Sequence, residues 1–251
     1  MLGENGWARH LAIHSKQEDI AMAANQPALD ISDRDVSADE MRGWSRDGLT
    51  VRFKNCTLDG ADLASLDMPF WVFDTCKLAN ADFRSAGLEG AKFTGCRGAH
   101  ADLSGADLTD ATFSGCDFNN ASFVEAKAND TRFEACKLTG ADFSRVRQLG
   151  LSFRETLLSA ARLRGLSFNN ERLDKLDFGM ADLTGCDFRK ATFSGCSLRD
   201  AGLVDARFDG ADLRGADLGG LRLIDAKKFK GATISKDQAG QLLAELGLKV
   251  R

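Results

Sequence analysis

The chain has 251 residues, 33 basic and 37 acidic, with a net charge of −4, seven cysteines and three histidines. No apolar run reaches the length of a membrane-spanning helix, and the N-terminus lacks the basic start and apolar core of a secretory signal. The imbalance lies at the front, with 5 basic and 9 acidic groups in residues 1–50 against 25 and 26 in 51–230. So even a balance disfavours a direct nucleic-acid binder, which needs a basic stripe to neutralise phosphates.

In chain order, residues 1–48 read as an N-terminal extension and cap. Trp7, Leu11 and Ile20 suggest a weak helix, Met22 offers an alternative start of translation, and the sequence leaves both points open. Ser37 and Glu40 then stand at capping-box spacing, with Met41 and Trp44 placed to plug whatever begins near Val51.

From residue 49 to 230 a different periodicity takes over. Cys56, Cys76, Cys96, Cys116 and Cys136 recur every twenty residues, and the chain divides without insertion into five-residue blocks such as ADLAS, CKLAN, ADLSG and ATFSG. The centre of each block is Leu or Phe up to Leu223, apart from Met68, Gly98, Ala128 and Gln148, and the residue two before it is mostly Ala or Cys. A beat of five with two inward positions fits neither a helix nor a plain strand, but it fits a solenoid with straight sides and tight corners. Phe53, Phe73, Phe93, Phe113, Phe133 and Phe153 form one column at steps of twenty, Phe168, Phe188 and Phe208 a second, and Phe123 and Phe143 part of a third. Four blocks therefore complete a turn, and turns stacked at about 4.8 Å make an all-β solenoid, a square parallel β-helix.

The cysteines occupy the small inward position, where Cys acts as a compact hydrophobe. Stacked cysteines with parallel Cβ vectors do not reach disulfide geometry, and no clustered C-x-x-C or histidine pair offers a zinc site. Seven reduced thiols fit a reducing compartment, most simply the cytoplasm.

Between Val146 and Leu176 the pattern is disturbed. Val146, Leu151, Thr156, Leu166, Glu171 and Leu176 are too large or too polar for the small inward position, and Gln148 stands at a centre. The expectation is a bulged or kinked middle, with Glu171 turned outward or paired with Arg172 or Lys175. Residues 231–251 close the chain: Ser235 and Gln238 have capping-box spacing, Ala239, Leu242, Leu243 and Leu246 form an apolar stripe, and Gly247 is a stop signal. This predicts a short amphipathic helix that covers the last coil, joins two copies, or both.

The blocks ADLSG at 101–105 and ADLRG at 211–215 resemble the pentapeptide-repeat family, and the resemblance spans roughly 49–230. It implies a right-handed quadrilateral β-helix. The C-terminal segment further resembles the ends of the Qnr and MfpA type, which implies a homodimer joined tail to tail.

Catalytic chemistry finds little support in the sequence. His10, His14 and His100 offer no Ser-His-Asp or Cys-His grouping, no phosphate loop or dinucleotide fingerprint occurs, and no cofactor is implied. What remains is a surface. Assigned to sides modulo four, Asp62, Asp82, Asp102 and Glu125 fall on one side and Asp67, Glu89, Asp107, Asp110 and Asp130 on the next, against Arg84 and Lys127 alone. Such a stripe is either a solvated face or a line of carboxylates that imitates a DNA backbone. Asp62, Asp82, Asp102 and Asp107 are expected to be exposed and to add little to stability. The resemblance implies the second role: a non-enzymatic, rod-shaped DNA mimic that occupies DNA gyrase or topoisomerase IV and modulates it or protects it from inhibitors. A protein-binding scaffold or effector with no topoisomerase role is the rival reading, a purely structural rod without a partner is the third, and fold alone does not separate them.

Overall fold

The computed structural model describes residues 29–221, 227–245 and 247–249. The expectations for Trp7, His10, Leu11, His14, Ile20, Met22 and Leu246 lie outside the described residues.

Among the described residues, ten strands and two α-helices follow one another. After β1 (Leu29–Ser32) and α1 (Ala38–Arg46) come β2 (Val51–Lys54), β3 (Val72–Asp74), β4 (Lys92–Thr94), β5 (Thr112–Ser114) and β6 (Arg132–Glu134). Then follow β7 (Ser152–Arg154), β8 (Arg172–Asp174), β9 (Thr192–Ser197), β10 (Asp212–Asp217) and α2 (Lys236–Glu245). From β2 to β7 each strand pairs in parallel with the next at a register of twenty, as in Phe53 with Phe73 and Phe73 with Phe93. Single bridges at the same register tie the other three sides, for example Lys77 with Arg97, Asp82 with Asp102 and Gly87 with Asp107. The molecule is thus a four-sided parallel β-helix ending in a short helix. We number its sides one to four from the blocks beginning at Val51, Cys56, Ala61 and Leu66.

The corners explain the five-residue beat. From Asn55 to Gly210 every fifth residue has a positive φ, a left-handed conformation that turns the chain sharply. Glycine takes it without cost; Phe70 and Met180 take it at φ values of 61° and 57°, held there by the coils above and below. Inside, the side-one phenylalanines stack in parallel, with Phe93 centred 4.7 Å from Phe73 and 4.6 Å from Phe113, while Phe83, Phe118 and Phe123 meet them edge on. Both geometries suit the ring quadrupole.

All seven cysteines are free and buried. Each thiol of Cys76, Cys96, Cys116 and Cys136 donates to the carbonyl of the phenylalanine twenty-three residues earlier, at 3.2 to 3.6 Å. Thr131 and Thr156 sit at the same inward position, fully buried, and their hydroxyls donate to Leu108 and Phe133 in the same way. The expected misfit of Thr156 is therefore absent, because its hydroxyl takes over the thiol's bond.

The N-terminal segment extends the sheet upstream of the repeats. β1 pairs with β2, Leu29 opposite Val51. α1 starts with a complete Ser37–Glu40 capping box, buries Met41 fully, and sets Trp44 5.9 Å from Phe53, as the sequence suggests.

The disturbed middle is a real break. β1 to β7 form one sheet and β8 to β10 another. Leu151, Leu166 and Leu176 remain buried, so large inward residues are accommodated. Glu171 is half-buried and makes no ion pair with Arg172 or Lys175; Lys175 binds Glu155 instead, at 3.2 Å.

Candidate functional surface

The single bridges place the second-position residues of side three in one row, Asp62, Asp82, Asp102, Ser122, Asp142, and those of side four in another, Asp67, Gly87, Asp107, Lys127. Every carboxylate expected on the acidic edge lies on these two adjoining sides, but they divide into two kinds.

The second-position aspartates other than Asp67, which is followed by Pro69 without an N–H to donate, fold back onto the chain. The carboxylates of Asp62, Asp82, Asp102 and Asp107 accept the backbone N–H two residues on, at 2.9 to 3.3 Å. The same bond recurs at Asp142, Asp182 and Asp187. This satisfies an amide that the tight corner leaves without a strand partner, which is why Asp is so common at this position. Asp82, Asp102 and Asp107 are half-buried, so the expectation that they are exposed is corrected for these three.

Cations neutralise much of this row. Arg42, from α1, reaches Asp62 at 2.6 Å; Arg84 holds Asp82 at 2.6 Å and stands 4.0 Å from Asp102; Lys127 meets Asp107 at 2.9 Å and Arg145 meets Glu125 at 2.9 Å. The Arg84 guanidinium holds the Asp82 carboxyl below the ordinary carboxylate value. Burial raises that of Asp107, but bonds from Thr109 and Lys127 outweigh it and the net shift is downward.

The second kind is Asp67, Glu89, Asp110 and Asp130. All four are exposed, all lie on side four, one to a coil, and none has an ion-pair partner among the described residues. They form a row of four charges without ion-pair partners that rises by one coil each, about 4.8 Å, and drifts across the side, from the second position of its block at Asp67 to the fourth at Glu89 and the fifth at Asp110 and Asp130. Periodicity alone places the nine carboxylates together; it misses Arg42, which arrives from outside the repeat.

At the C-terminal end Ser235 and Gln238 complete the second capping box. Gln238 is buried and its amide Nε2 donates to the carbonyls of Leu213 and Ala216, at 2.7 and 2.6 Å. A polar side chain thus seals the last coil. Ala239 and Leu242 are half-buried and Leu243 is exposed, while Leu242 lines a groove with Arg199, Arg214 and Gln241. Among the described residues no helix is long and apolar enough to cross a membrane, and no group of three or more His, Cys, Asp or Glu could hold a metal ion.

Three solved structures of QnrB1, described as a plasmid-mediated fluoroquinolone resistance protein, share this fold. Two trypsin-treated variants match with TM-scores of 0.59 and 0.61 at 23% and 21% identity, covering 89% of this chain and 98% and 99% of theirs. The full-length protein gives 0.55 at 20% identity, covering 88% and 98%. At this identity the likeness concerns the fold. No curated protein sequence matches the chain. The model of the pentapeptide repeat region matches residues 49–123, and that of pentapeptide repeats in eight copies matches 116–147, 152–189 and 191–227. With the five-residue frame, the four-sided coils and these matches over most of its length, the chain belongs to the pentapeptide-repeat family.

Proposed function

We propose that this protein is a non-enzymatic binding protein whose side four imitates a DNA backbone and engages the DNA-binding surface of DNA gyrase or topoisomerase IV. It then modulates the enzyme or protects it from quinolone-type or natural inhibitors. The observation that carries the reading is the set Asp67, Glu89, Asp110 and Asp130: one to a coil on side four, exposed and without ion-pair partners among the described residues, on a rod whose other acidic-edge carboxylates are paired. A basic cleft built for phosphates attracts such a line. The fold shared with a fluoroquinolone resistance protein supports the choice of partner. In this reading the rod works in the cytoplasm as a homodimer joined through Ala239, Leu242, Leu243 and Leu246.

The test is a gyrase supercoiling assay with and without a fluoroquinolone. Wild-type protein is expected to inhibit or protect, less so at higher salt because the charges are screened. The variant Asp67→Asn, Glu89→Gln, Asp110→Asn and Asp130→Asn, which keeps every corner bond, is expected to lose the effect. A fully active neutral variant rejects mimicry by this line. The pairing of the remaining carboxylates supports a second reading, a protein-binding scaffold, and a wild-type protein without effect on either topoisomerase favours it.

A further inference from the structure

The break between β7 and β8 follows a pattern that can be read bond by bond. In a regular coil pair on side four, Lys127 N–H donates to Ala106, Ala128 N–H to Arg147, and Asp130 N–H to Leu149. One coil on, the equivalent bonds from Ser167 to Val146, from Gln148 to Ser167 and from Gly150 to Asn169 are all missing, as is the bridge between Arg147 and Ser167. On side one the bond from Arg172 to Leu151 and the pairing of Phe153 with Leu173 are missing too, until Glu155 N–H meets Asp174 at 2.9 Å. Sides two and three stay zipped, with Leu157 bridged to Asp177 and Arg162 to Asp182. The corner turns themselves continue, with Gly150 and Glu155 still at positive φ. The coils are therefore intact and separated along two adjoining sides.

Two polar inward residues flank this slit, one on each lip. Gln148 is the one centre position from Phe53 to Leu218 that is not buried. Glu171 follows Leu151 by twenty residues at the inward position of side one and is half-buried. Neither side chain has a hydrogen-bond or ion-pair partner among the described residues, and burial alone raises the Glu171 carboxyl above its ordinary value. A carboxylate without a partner is too costly to enclose in a dry core, so the coils part where it would be enclosed. The aromatic stack also changes sides here, from Phe153 on side one to Phe168 on side four, the two rings tilted by 47°.

We propose that the rod is two rigid stacks joined by a hinge along sides two and three, and that Glu171 and Gln148 are the wedge that keeps the opposite corner open. The mechanism is independent of what side four binds. Bending about this line changes the angle between the stacks while leaving each stack's ladder intact.

The row Arg52, Lys92, Arg132, Arg172 on side one supplies an internal control, since all four residues are exposed. Full-length protein is spin-labelled in pairs, at 52 and 132 within the first stack and at 92 and 172 across the slit, each pair four coils apart. Pulsed electron resonance is expected to give a narrow distribution near 19 Å for the first pair and a longer, broader one for the second. Glu171→Ala with Gln148→Leu, which restores the regular pattern, is expected to bring the second distribution onto the first. Should that variant fail to fold, Glu171→Gln alone is expected to narrow the second pair. Equal distributions in the wild-type protein overturn the hinge, and a cross-slit distribution unchanged in the folded variants overturns the wedge.

Discussion

Gln238 offers the sharpest test of how the end of the rod is sealed, because local helix chemistry and the fold make opposite demands on it. Its side chain accepts from Ser235 N–H at 2.7 Å and donates to two carbonyls of the last coil. Replacing it by alanine keeps the Ser235 cap but removes the acceptor for the Ser235 N–H, about 1 kcal/mol, and leaves two buried acceptors unpaired at about 1 kcal/mol each. The expected loss for Gln238→Ala is therefore about 3 kcal/mol. Capping-box chemistry treats glutamate at this position as a good substitute. The structure says otherwise, since Gln238→Glu replaces a two-proton donor with a carboxylate pressed against two carbonyl oxygens and partly removed from water. At neutral pH it should destabilise more than Gln238→Ala, and acidification should recover part of the loss because the protonated carboxyl can donate once. Hydrogen exchange of the amides from Ala211 to Asp217, together with thermal unfolding, reads both effects. If Gln238→Glu matches wild type, the amide does not seal the coil.

Other outcomes follow from the same geometry. Asp82→Lys, which loses the corner bond, should cost about 1 kcal/mol in chemical denaturation, whereas Asp82→Asn, which retains it, should cost little; equal losses would discount that bond. Phe113→Ala opens a cavity between rings 4.6 and 4.7 Å away and should cost about 4 kcal/mol. Asp187 is held at about 2, chiefly by its bonds from Arg189, below its unfolded value. Its stabilising contribution is thus present above the unfolded value and lost as pH falls through about 2. The melting-temperature gap between wild type and Asp187→Asn should accordingly close on acidification, and a constant gap would refute the assignment. Burial pushes the Cys186 thiol up to about 12, so thiol reagents at neutral pH should leave it unmodified in native protein and find seven thiols after unfolding.

The solenoid was legible because its physics is local and repeated. A Leu or Phe at every fifth position and a small residue two before it specify sides, corners and number of sides without long-range information. The position of the break was legible as well, from Glu171 and Gln148, but not its form: a one-dimensional pattern flags a misfit without saying which neighbouring ladder yields. The acidic edge was legible as a location only. Composition counts Asp67 and Asp82 alike, whereas one points into water and the other caps an amide and binds Arg84. That difference depends on where the carboxylate bends after the backbone is set, and on cations such as Arg42 delivered by a helix outside the repeat.

The constant register also makes the ladder a ruler for growth. Between β2 and β7, removing or duplicating any twenty consecutive residues returns each surviving side chain to its own column, so the rod can change length by whole coils without repacking its corners. The two ends do not share that freedom. Leu29 pairs with Val51 across twenty-two residues, and Asp212 with Thr233 across twenty-one, so neither cap can be copied as a coil. The chain can lengthen only from within, and each added coil moves the two ends about 4.8 Å further apart. A partner that touches both ends at once therefore fixes the number of coils, while one that touches a single side leaves it free.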